Sequence, residues 1–302
     1  MREIIERIEE LKKEKNAVIL AHYYVRDEVQ EIADYVGDSF YLSKVATKVD
    51  ADIIVFCGVS FMGESAKILN PDKMVLMPDS TADCPMAHMA DVDKIEAVRS
   101  QYDDLAVVCY INSTSELKMH SDICVTSSNA MKIVERLPQK NIFFIPDENL
   151  GRYIASKVPE KNFIFNDGFC HVHSELRLDE VKRGLEAHPE AKFVVHPECK
   201  MEVLELADFI GSTAELIDFV TEDDSKEFIV GTEMGVLYEM KQKNPDKKFY
   251  SAAAVQICPN MKKISLEKIA DCLANETNQV EVSAEKREQA SKPLNAMLEL
   301  AK

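Results

Sequence analysis

The sequence has no tryptophan, only nine glycines and no low-complexity stretch, so its composition is not that of a disordered chain. Long apolar runs are also missing: none approaches about 18 residues, the length of a membrane-spanning helix. The opening residues form a charged amphipathic pattern, without the basic and then apolar order of a secretory signal. We therefore expect a soluble, cytoplasmic protein that folds completely and does not associate with membranes.

Basic residues are too few for a nucleic-acid-binding protein. The chain carries 36 Lys and Arg against 53 Asp and Glu, a net charge of −17. Binding to a phosphate backbone needs an excess of cations that displaces counterions. The sequence therefore argues against nucleic acid as a partner. A small anionic substrate stays compatible with this charge, because helix N-termini supply local hydrogen-bond donors.

The eight cysteines lack the spacing of common metal and redox motifs. No CxxC pair occurs, which argues against a zinc ribbon, a thioredoxin motif and a ferredoxin-type ligand series. A disulfide framework is not expected in a cytoplasmic chain. Cys57, Cys109 and Cys124 lie in apolar strand patterns, and we expect them to be small buried side chains.

What the sequence does contain is one pattern written three times. It reads "ADYVGDSFYLSKVAT" at 33–47, "SDICVTSSNAMKIVE" at 121–135 and "ADFIGSTAELIDFVT" at 207–221. Around each copy, short apolar strands alternate with helical periodicity, giving four strands and four helices. This order predicts an α/β fold of three similar αβα domains with parallel four-stranded sheets, arranged with pseudo-threefold symmetry around a central active site.

The repeat also predicts the domain organisation. Repeats of about 87 residues are whole small domains rather than solenoid units. The expected ranges are 1–103 for the first domain with its N-terminal helix, 104–190 for the second, 191–275 for the third and 276–302 for a helical tail. The helical pattern of the tail breaks near Pro293, and we expect the tail to pack on the surface of the first domain.

Polar residues recur at matching positions of the three copies. His22, Tyr110 and His196 each precede a hydroxyl residue by 17 positions. The hydroxyl residues are Ser39, Ser127 and Thr213, and the residues two positions after the leading ones are Tyr24, Asn112 and Glu198. All of them follow predicted strands, at the edge where open α/β sheets bind ligands. We therefore expect them to meet in one central pocket.

Three cysteines share this repeat. Cys84, Cys170 and Cys258 follow the leading residues by 62, 60 and 62 positions. Three thiolates from three domains suit a 4Fe–4S cluster with one open iron that acts as a Lewis acid. Zinc is the second interpretation, although a structural zinc site ordinarily recruits a fourth ligand. The third interpretation is a set of buried thiols that align by coincidence.

The other site residues have a structural interpretation beside a functional one. The three hydroxyls stand at expected N-cap positions, where they cap a helix, cradle an anion or do both. Glu198 is the best acid/base candidate, because a carboxylate in a partly closed pocket can be tuned toward neutral pH. The "HVH" that follows Cys170 adds His171 and His173; His173 is a candidate proton donor or substrate ligand, or a residue that solvates a helix start. The segment "FMGESAK" is expected in the pocket wall.

Six segments together carry a family resemblance. They are "AHYYVRDEVQEIADYVGDSFYLSK", "GVSFMGESAKILNPDKMVLMPDSTADCPMA", "CYINSTSELK", "VTSSNA", "VVHPEC" and "QICPNMKK". They resemble the quinolinate synthase family, over nearly the whole chain. The resemblance implies an oxygen-sensitive 4Fe–4S transferase of de novo NAD biosynthesis, which condenses iminosuccinate with dihydroxyacetone phosphate to give quinolinate, phosphate and water. It also implies functional coupling to L-aspartate oxidase or aspartate dehydrogenase.

The resemblance further implies roles for particular residues. Cys84, Cys170 and Cys258 are the implied cluster ligands, which leave one iron open. The residues expected around the substrate are His22, Ser39, Tyr110, Ile111, Asn112, Ser127, His196, Pro197, Glu198 and Thr213.

Four residues are the candidates for catalysis. Glu198 is implied as general acid/base and Tyr24 in proton transfer on the triose, while His22 and His173 are added as further candidates. The motif tyrosine is Tyr24, two positions after His22, and not the adjacent Tyr23.

Three alternative functions stay open. An aconitase-like dehydratase with the same open iron would turn over a single dicarboxylate and would need no triose phosphate. An iron–sulfur sensor would change oxidation state without turnover. A zinc-stapled binding protein would be colourless and indifferent to air.

Overall fold

A computed structural model describes residues 2–302 of the chain. These residues form three parallel four-stranded sheets, each with the spatial strand order second, first, third and fourth. The strands are β1 (Ala17–His22), β2 (Tyr35–Gly37), β3 (Ile53–Cys57), β4 (Met74–Leu76), β5 (Leu105–Tyr110), β6 (Ile123–Val125), β7 (Asn141–Ile145), β8 (Asn162–Phe165), β9 (Lys192–Val195), β10 (Phe209–Ile210), β11 (Glu227–Gly231) and β12 (Lys248–Ser251). The predicted fold class is confirmed. Each sheet lies within one predicted domain range, and the limits of those ranges stay predictions.

Helices alternate with the strands along the chain, as the periodicity predicts. They are α1 (Arg2–Glu14), α2 (Asp27–Ile32), α3 (Ser39–Ala46), α4 (Ser60–Leu69), α5 (Val92–Arg99), α6 (Ser115–Met119), α7 (Ala130–Arg136), α8 (Glu148–Lys157), α9 (His171–Ser174), α10 (Leu178–Ala187), α11 (Met201–Leu204), α12 (Thr213–Glu222), α13 (Val236–Lys243), α14 (Leu266–Asn275) and α15 (Ala284–Leu300). Within residues 2–302, none of these helices combines the length and the apolar character that a bilayer crossing requires.

The central strands of the sheets form the core. Strands β1, β3, β5 and β7 are buried along almost their whole length, as expected for parallel strands covered on both faces. Cys57, Cys109 and Cys124 lie in these sheets with no exposed surface. Their predicted role as small buried side chains is confirmed.

The aspartate of the repeated sequence pattern has a structural role. In every copy its carboxylate accepts a hydrogen bond from a backbone N–H of the first strand, and its own N–H donates to the carbonyl of the same residue. The carboxylate contacts are Asp34 with Ile19 at 2.8 Å, Asp122 with Val107 at 2.7 Å and Asp208 with Phe193 at 2.7 Å. Each edge strand has only two or three residues, so this extra contact fixes where it pairs.

The C-terminal helix differs from its prediction. Helix α15 runs through Pro293 without a break and packs mainly against α6 and β6 of the second domain, and also against α4 of the first. An apolar stripe that includes Ala290, Leu294 and Met297 drives this docking. Lys132 and Arg136 of α7 donate to the carbonyls at its end. Two cations at a helix C-terminus are favourable. The predicted break near Pro293 is wrong, and the tail contacts the second domain in addition to the first, where it was expected.

Candidate active site

The carboxyl ends of the three sheets line one pocket. Its walls enclose about 760 Å³ that protein atoms do not fill, part of it open to solvent. The predicted residues that it brings together are His22, Tyr24, Ser39, Cys84, Tyr110, Asn112, Ser127, Cys170, His173, His196, Glu198, Thr213 and Cys258. Phe61 and Met62 of the segment "FMGESAK" also line it, as expected.

Two residues expected around the substrate do not line the pocket. Ile111 and Pro197 are buried beside it. The N–H of Ile111 donates to the carbonyl of Val125 at 2.8 Å, which extends the pairing of β5 with β6 by one residue. The structure gives Ile111 a place in the sheet edge, and a contact of either residue with substrate stays a prediction.

Two histidines present the same ring nitrogen to the pocket. The N–H of Tyr24 donates to His22 Nδ1 at 3.2 Å, and the N–H of Glu198 donates to His196 Nδ1 at 3.3 Å. Because Nδ1 accepts, a neutral ring carries its proton on Nε2. Burial lowers the pKa of both histidines to about 3. His22 and His196 are therefore neutral hydrogen-bond donors near neutral pH, and His196 Nε2 already lies 3.3 Å from the Ser127 hydroxyl.

The three hydroxyl residues are not the N-caps of their helices: Ser39 and Thr213 lie one residue after the cap, and Ser127 lies two residues before it. Asp38 and Ser212 are the N-caps of α3 and α12, and they accept from the N–H groups three residues on at 2.8 Å and 3.4 Å. Ser39 and Thr213 are therefore the first helical residues, while Ser127 lies in the turn before α7. The capping prediction is wrong for all three. Their hydroxyls do not hold the helix termini and line the pocket instead.

A chain of hydrogen bonds joins the two predicted acid/base groups. The Tyr24 hydroxyl lies 2.8 Å from the Thr213 hydroxyl and 2.8 Å from that of Thr232. Thr232 Oγ1 lies 2.8 Å from His173 Nε2, and His173 Nδ1 lies 2.7 Å from Glu198 Oε2. Tyr24 and Glu198 are thus connected through Thr232 and His173.

Glu198 is ionised in this setting. Burial alone would raise its pKa, but the neighbouring His173 and His196 and hydrogen bonds from His173 and Tyr110 outweigh burial and lower the pKa to about 2. The two pocket tyrosines respond in the opposite direction: burial, and then the charge of Glu198, hold the pKa of Tyr24 and Tyr110 well above its usual value. The pKa of Glu198 thus moves away from neutrality, contrary to the expectation from the sequence, and near neutral pH the site holds a carboxylate beside protonated phenols.

Sequence matching missed several residues of the site. Thr232 and Glu233 follow β11 directly, and Asp38 and Thr126 precede α3 and the turn into α7. Asp38, Thr126 and Glu233 line the pocket. The rule that ligands bind at the carboxyl edge would have found Thr232 and Glu233, had it been applied to the third strand of each sheet. Matching across copies hides Thr232, because glycine and proline occupy the equivalent positions after β3 and β7.

Cys84, Cys170 and Cys258 fit a shared metal centre. They are half-buried and line the pocket, whereas the other five cysteines are buried elsewhere. Burial raises the pKa of all three, that of Cys84 to about 12. Three thiolates in one pocket repel each other, so their ionisation is coupled to a positive metal centre. Thiolates are the ligands that iron–sulfur clusters use, so the donor set suits such a cluster.

A smaller set of donors in the pocket suits a single ion. Cys170 Sγ, His173 Nδ1 and a carboxylate oxygen of Glu198 lie within 4.8 Å of one another. Sulfur, imidazole and carboxylate are ordinary zinc ligands. Hydrogen bonds already link His173 to both partners, at 3.2 Å to the sulfur and 2.7 Å to the carboxylate, and they account for this proximity without an ion.

Comparison with known proteins gives the family. Residues 6–299 match the family described as NadA, quinolinate synthetase A protein. The chain belongs to the quinolinate synthase family. Curated quinolinate synthases from Fusobacterium nucleatum, Caldicellulosiruptor saccharolyticus and Aquifex aeolicus are 54%, 52% and 46% identical to it. The alignments cover 98%, 97% and 100% of this chain and 99%, 97% and 95% of those relatives. The resemblance in the sequence is confirmed, and the chain is an enzyme.

Proposed function

We propose that this chain condenses iminosuccinate with dihydroxyacetone phosphate to quinolinate, with release of phosphate and water, in the biosynthesis of NAD. The observation that carries the proposal is the pocket in which an ionised Glu198, the phenol of Tyr24 and three cysteine thiols meet. Family membership supports quinolinate as the product. The reaction joins two fragments through a C–C and a C–N bond, so both must be held together beside groups that move protons.

Neutral donors in the pocket suit the two anionic substrates. His22 and His196 offer Nε2–H groups, and the hydroxyls of Ser39, Ser127 and Thr213 line the same wall. Hydrogen bonds from these groups can fix carboxylate and phosphate oxygens. The amide of Asn112 adds an acceptor, because its Oδ1 is buried without a hydrogen-bond partner in the structure. That atom suits an N–H or O–H of the substrate.

Glu198 and Tyr24 supply the proton chemistry. The ionised Glu198 Oε2 accepts a proton from substrate, and the protonated Tyr24 hydroxyl donates one to a substrate oxygen. The hydrogen-bonded path through His173 and Thr232 joins these two groups, so a proton taken up by Glu198 can return to Tyr24. Tyr110 holds Glu198 in its ionised state by donating to it.

Cys84, Cys170 and Cys258 would hold a 4Fe–4S cluster in this proposal. When bound through three thiolates, such a cluster has one iron that acts as a Lewis acid toward a substrate oxygen or nitrogen. The three thiols come from the three repeated segments of the chain and line the same pocket. Zinc on Cys170, His173 and Glu198 is the second candidate, because sulfur, imidazole and carboxylate are ordinary zinc ligands.

The decisive experiment is quinolinate formation under strict anaerobiosis. Reconstituted protein is given dihydroxyacetone phosphate and iminosuccinate generated in place, and each substrate is omitted in turn. We expect quinolinate to form only when both substrates are present, and its formation to stop after the protein is exposed to air. Turnover of one dicarboxylate alone would favour the dehydratase instead. A colourless zinc protein without turnover would favour the binding protein, and redox change without turnover the sensor.

The substrate chemistry also suggests a coupled enzyme. Iminosuccinate hydrolyses in water, so a supply close to the site is useful. We propose functional coupling to L-aspartate oxidase or aspartate dehydrogenase, either of which forms this imine. The test measures the yield of quinolinate per molecule of imine in two conditions. In the first, either oxidising enzyme forms the imine in the presence of this protein, and in the second the imine is added in bulk. We expect a higher yield in the first condition.

A further inference from the structure

The backbone N–H of each of the three pocket cysteines donates a hydrogen bond to a side-chain carboxylate. The backbone N–H of Cys84 donates to Asp83 at 2.8 Å, that of Cys170 to Asp147 at 3.1 Å and that of Cys258 to Glu233 at 3.1 Å. The other five cysteines differ. Four lie within strands or a helix, and the N–H of Cys199 donates to a backbone carbonyl. The contact is therefore specific to the cysteines that line the pocket.

Each carboxylate is itself held by a second contact. Asp147 caps α8 by accepting from Leu150 N at 2.7 Å. Glu233 accepts from Gly235 N at 2.6 Å. Asp83 accepts from the Ser60 hydroxyl and lies 2.7 Å from His88 Nε2. Because both oxygens of each carboxylate have partners, its orientation is fixed, and so is the cysteine N–H that it binds.

In the first domain, the carboxylate that binds the cysteine comes from a different position in the repeat. Asp147 and Glu233 occupy matching positions, two residues after β7 and β11. The equivalent residue after β3 is Val59, which has no acceptor in its side chain. Asp83, next to Cys84 in the chain, supplies the carboxylate there instead. Repetition of the fold alone does not explain why a carboxylate at an unmatched position makes the same contact.

Glu233 also binds the lysine that joins two domains at the pocket. Lys262 Nζ lies 3.1 Å from its carboxylate and donates to the carbonyl of Tyr24 at 2.6 Å. The Glu233 side chain is 1% exposed, and a buried carboxylate needs such a partner. Lys262 follows Cys258 by four residues, so its hydrogen bond to Tyr24 ties the two loops, and the ion pair with Glu233 holds the lysine in place.

We propose that Asp83, Asp147 and Glu233 are positioning residues, which hold the three cysteine loops in the geometry that captures the cluster. The proposal rests on the proposed function in one respect, that these cysteines bind the cluster. A carboxylate accepts two donors at once, whereas an amide in its place turns an NH₂ group toward one of them. Neighbours that orient metal ligands typically change metal affinity by about 10- to 100-fold when they are altered.

The test compares Glu233→Gln and Asp147→Asn with the wild-type protein after anaerobic reconstitution. Iron and sulfide per chain, the visible absorbance and the rate of iron loss to a chelator are measured. We expect iron to be lost roughly 10-fold faster or more in both variants. The melting temperature of metal-free Asp147→Asn should stay near that of the wild type, because asparagine also caps a helix. Glu233→Gln should melt lower, because it leaves Lys262 without its carboxylate. Glu227→Gln is the matched control, because Glu227 lies on the same strand β11 and pairs with Lys248 at the surface. It should behave as wild type.

The outcomes separate this proposal from the proposed function. Wild-type protein that takes up no cluster overturns both. Wild-type protein that holds a 4Fe–4S cluster, with both variants retaining iron equally well, overturns only the positioning role. A variant that melts at a lower temperature but keeps its iron also overturns the positioning role, because the contact then stabilises the fold alone. Asp83→Ala provides an independent case if the buried variants fail to fold, because the Asp83 side chain is 44% exposed.

Discussion

At the scale of single residues, the two adjacent tyrosines that follow β1 make different contacts. The Tyr24 hydroxyl contacts two threonine hydroxyls in the pocket, while the Tyr23 ring packs in a core cluster of the third domain. Their sequence order "HYY" gives no local reason to prefer one over the other. The hydrogen bonds of Tyr24 decide the assignment.

Removal of the Tyr24 hydroxyl should impair chemistry and leave the metal centre intact. For Tyr24→Phe we expect kcat to fall by about 100-fold or more, the usual size of a lost general acid. Iron content should be unchanged. Tyr23→Phe is the matched control and should retain most activity in the same anaerobic quinolinate assay. Equal loss in both variants would mean that the effect is not specific to the Tyr24 hydroxyl.

The two buried histidines predict how stability depends on pH. Burial lowers the pKa of His22 and His196 to about 3 in the folded protein, against about 6.5 in an unfolded chain. Between these values the unfolded chain binds more protons, so stability falls as the pH drops below 6.5. Each histidine should cost roughly 1 kcal/mol per pH unit there.

Thermal melting of the metal-free protein at pH 7, 6 and 5 measures this effect. The decline should be shallower for His196→Gln than for the wild type. His188→Gln is the control, since His188 stacks on Tyr250 outside the pocket lining and its loss should leave the slope unchanged. A wild-type slope in His196→Gln would contradict the assignment of a neutral buried imidazole.

At the scale of secondary-structure elements, a lysine at the same position of each repeat binds the C-terminal end of the same helix. Lys73, Lys161 and Lys247 lie at equivalent places before β4, β8 and β12. Each ammonium donates to backbone carbonyls at or just beyond the end of the helix that follows the second strand of its domain, which is α3, α7 or α12. Cations stabilise helix C-termini because those carbonyls lack partners within the helix. These lysines are thus a repeated helix-terminating device.

Lys161→Met should lower the free energy of unfolding by about 1 kcal/mol, the usual size of such a contact. Lys161 Nζ lies 2.5 Å from the Leu137 carbonyl and 2.8 Å from that of Gln139. Urea unfolding of the metal-free protein measures the change. Lys182→Met, an exposed change on α10, should have no measurable effect, and equal losses in the two variants would assign the effect to general charge.

Local sequence patterns predicted the helices and strands well. They failed where packing between elements determines where a helix begins or whether it continues. Strand and helix order follow from apolar periodicity, which is a property of each segment alone. The course of α15 through Pro293 depends instead on burial against α6 and β6. The position of the caps at Asp38 and Ser212 differs from the prediction by one residue, because strand ends and helix starts overlap in these short turns.

The candidate site was predictable only in its repeated part. Residues that recur in all copies were found from spacing, including the three cysteines. Thr232 was not, because the equivalent residues after β3 and β7 are Gly58 and Pro146. Glu233 matches the carboxylate Asp147 after β7 but only Val59 after β3, so it does not recur in all copies. Only the folded structure shows that Glu233 lines the pocket and that Thr232 contacts Tyr24 and His173.

For the whole molecule, the pocket depends on all three domains at once. Cys84→Ala should abolish cluster retention and quinolinate formation while leaving the fold largely intact, because Cys84 is a half-buried rim residue outside the strands. Iron analysis with visible absorbance, the anaerobic quinolinate assay and far-ultraviolet circular dichroism measure the three quantities. Cys57→Ala, in the core strand β3, should keep the iron. Brown colour and activity retained in Cys84→Ala would contradict the ligand assignment.

The contacts that assemble this pocket span very long stretches of chain. Tyr24 meets Thr213 and Thr232 across 189 and 208 residues, and Lys262 meets Tyr24 across 238. Each parallel sheet, by contrast, closes within its own segment of sequence. Distant contacts form late in folding because chain closure is costly. Refolding protein should therefore regain its circular dichroism before it becomes able to take up iron, and cluster capture reports domain docking rather than domain folding.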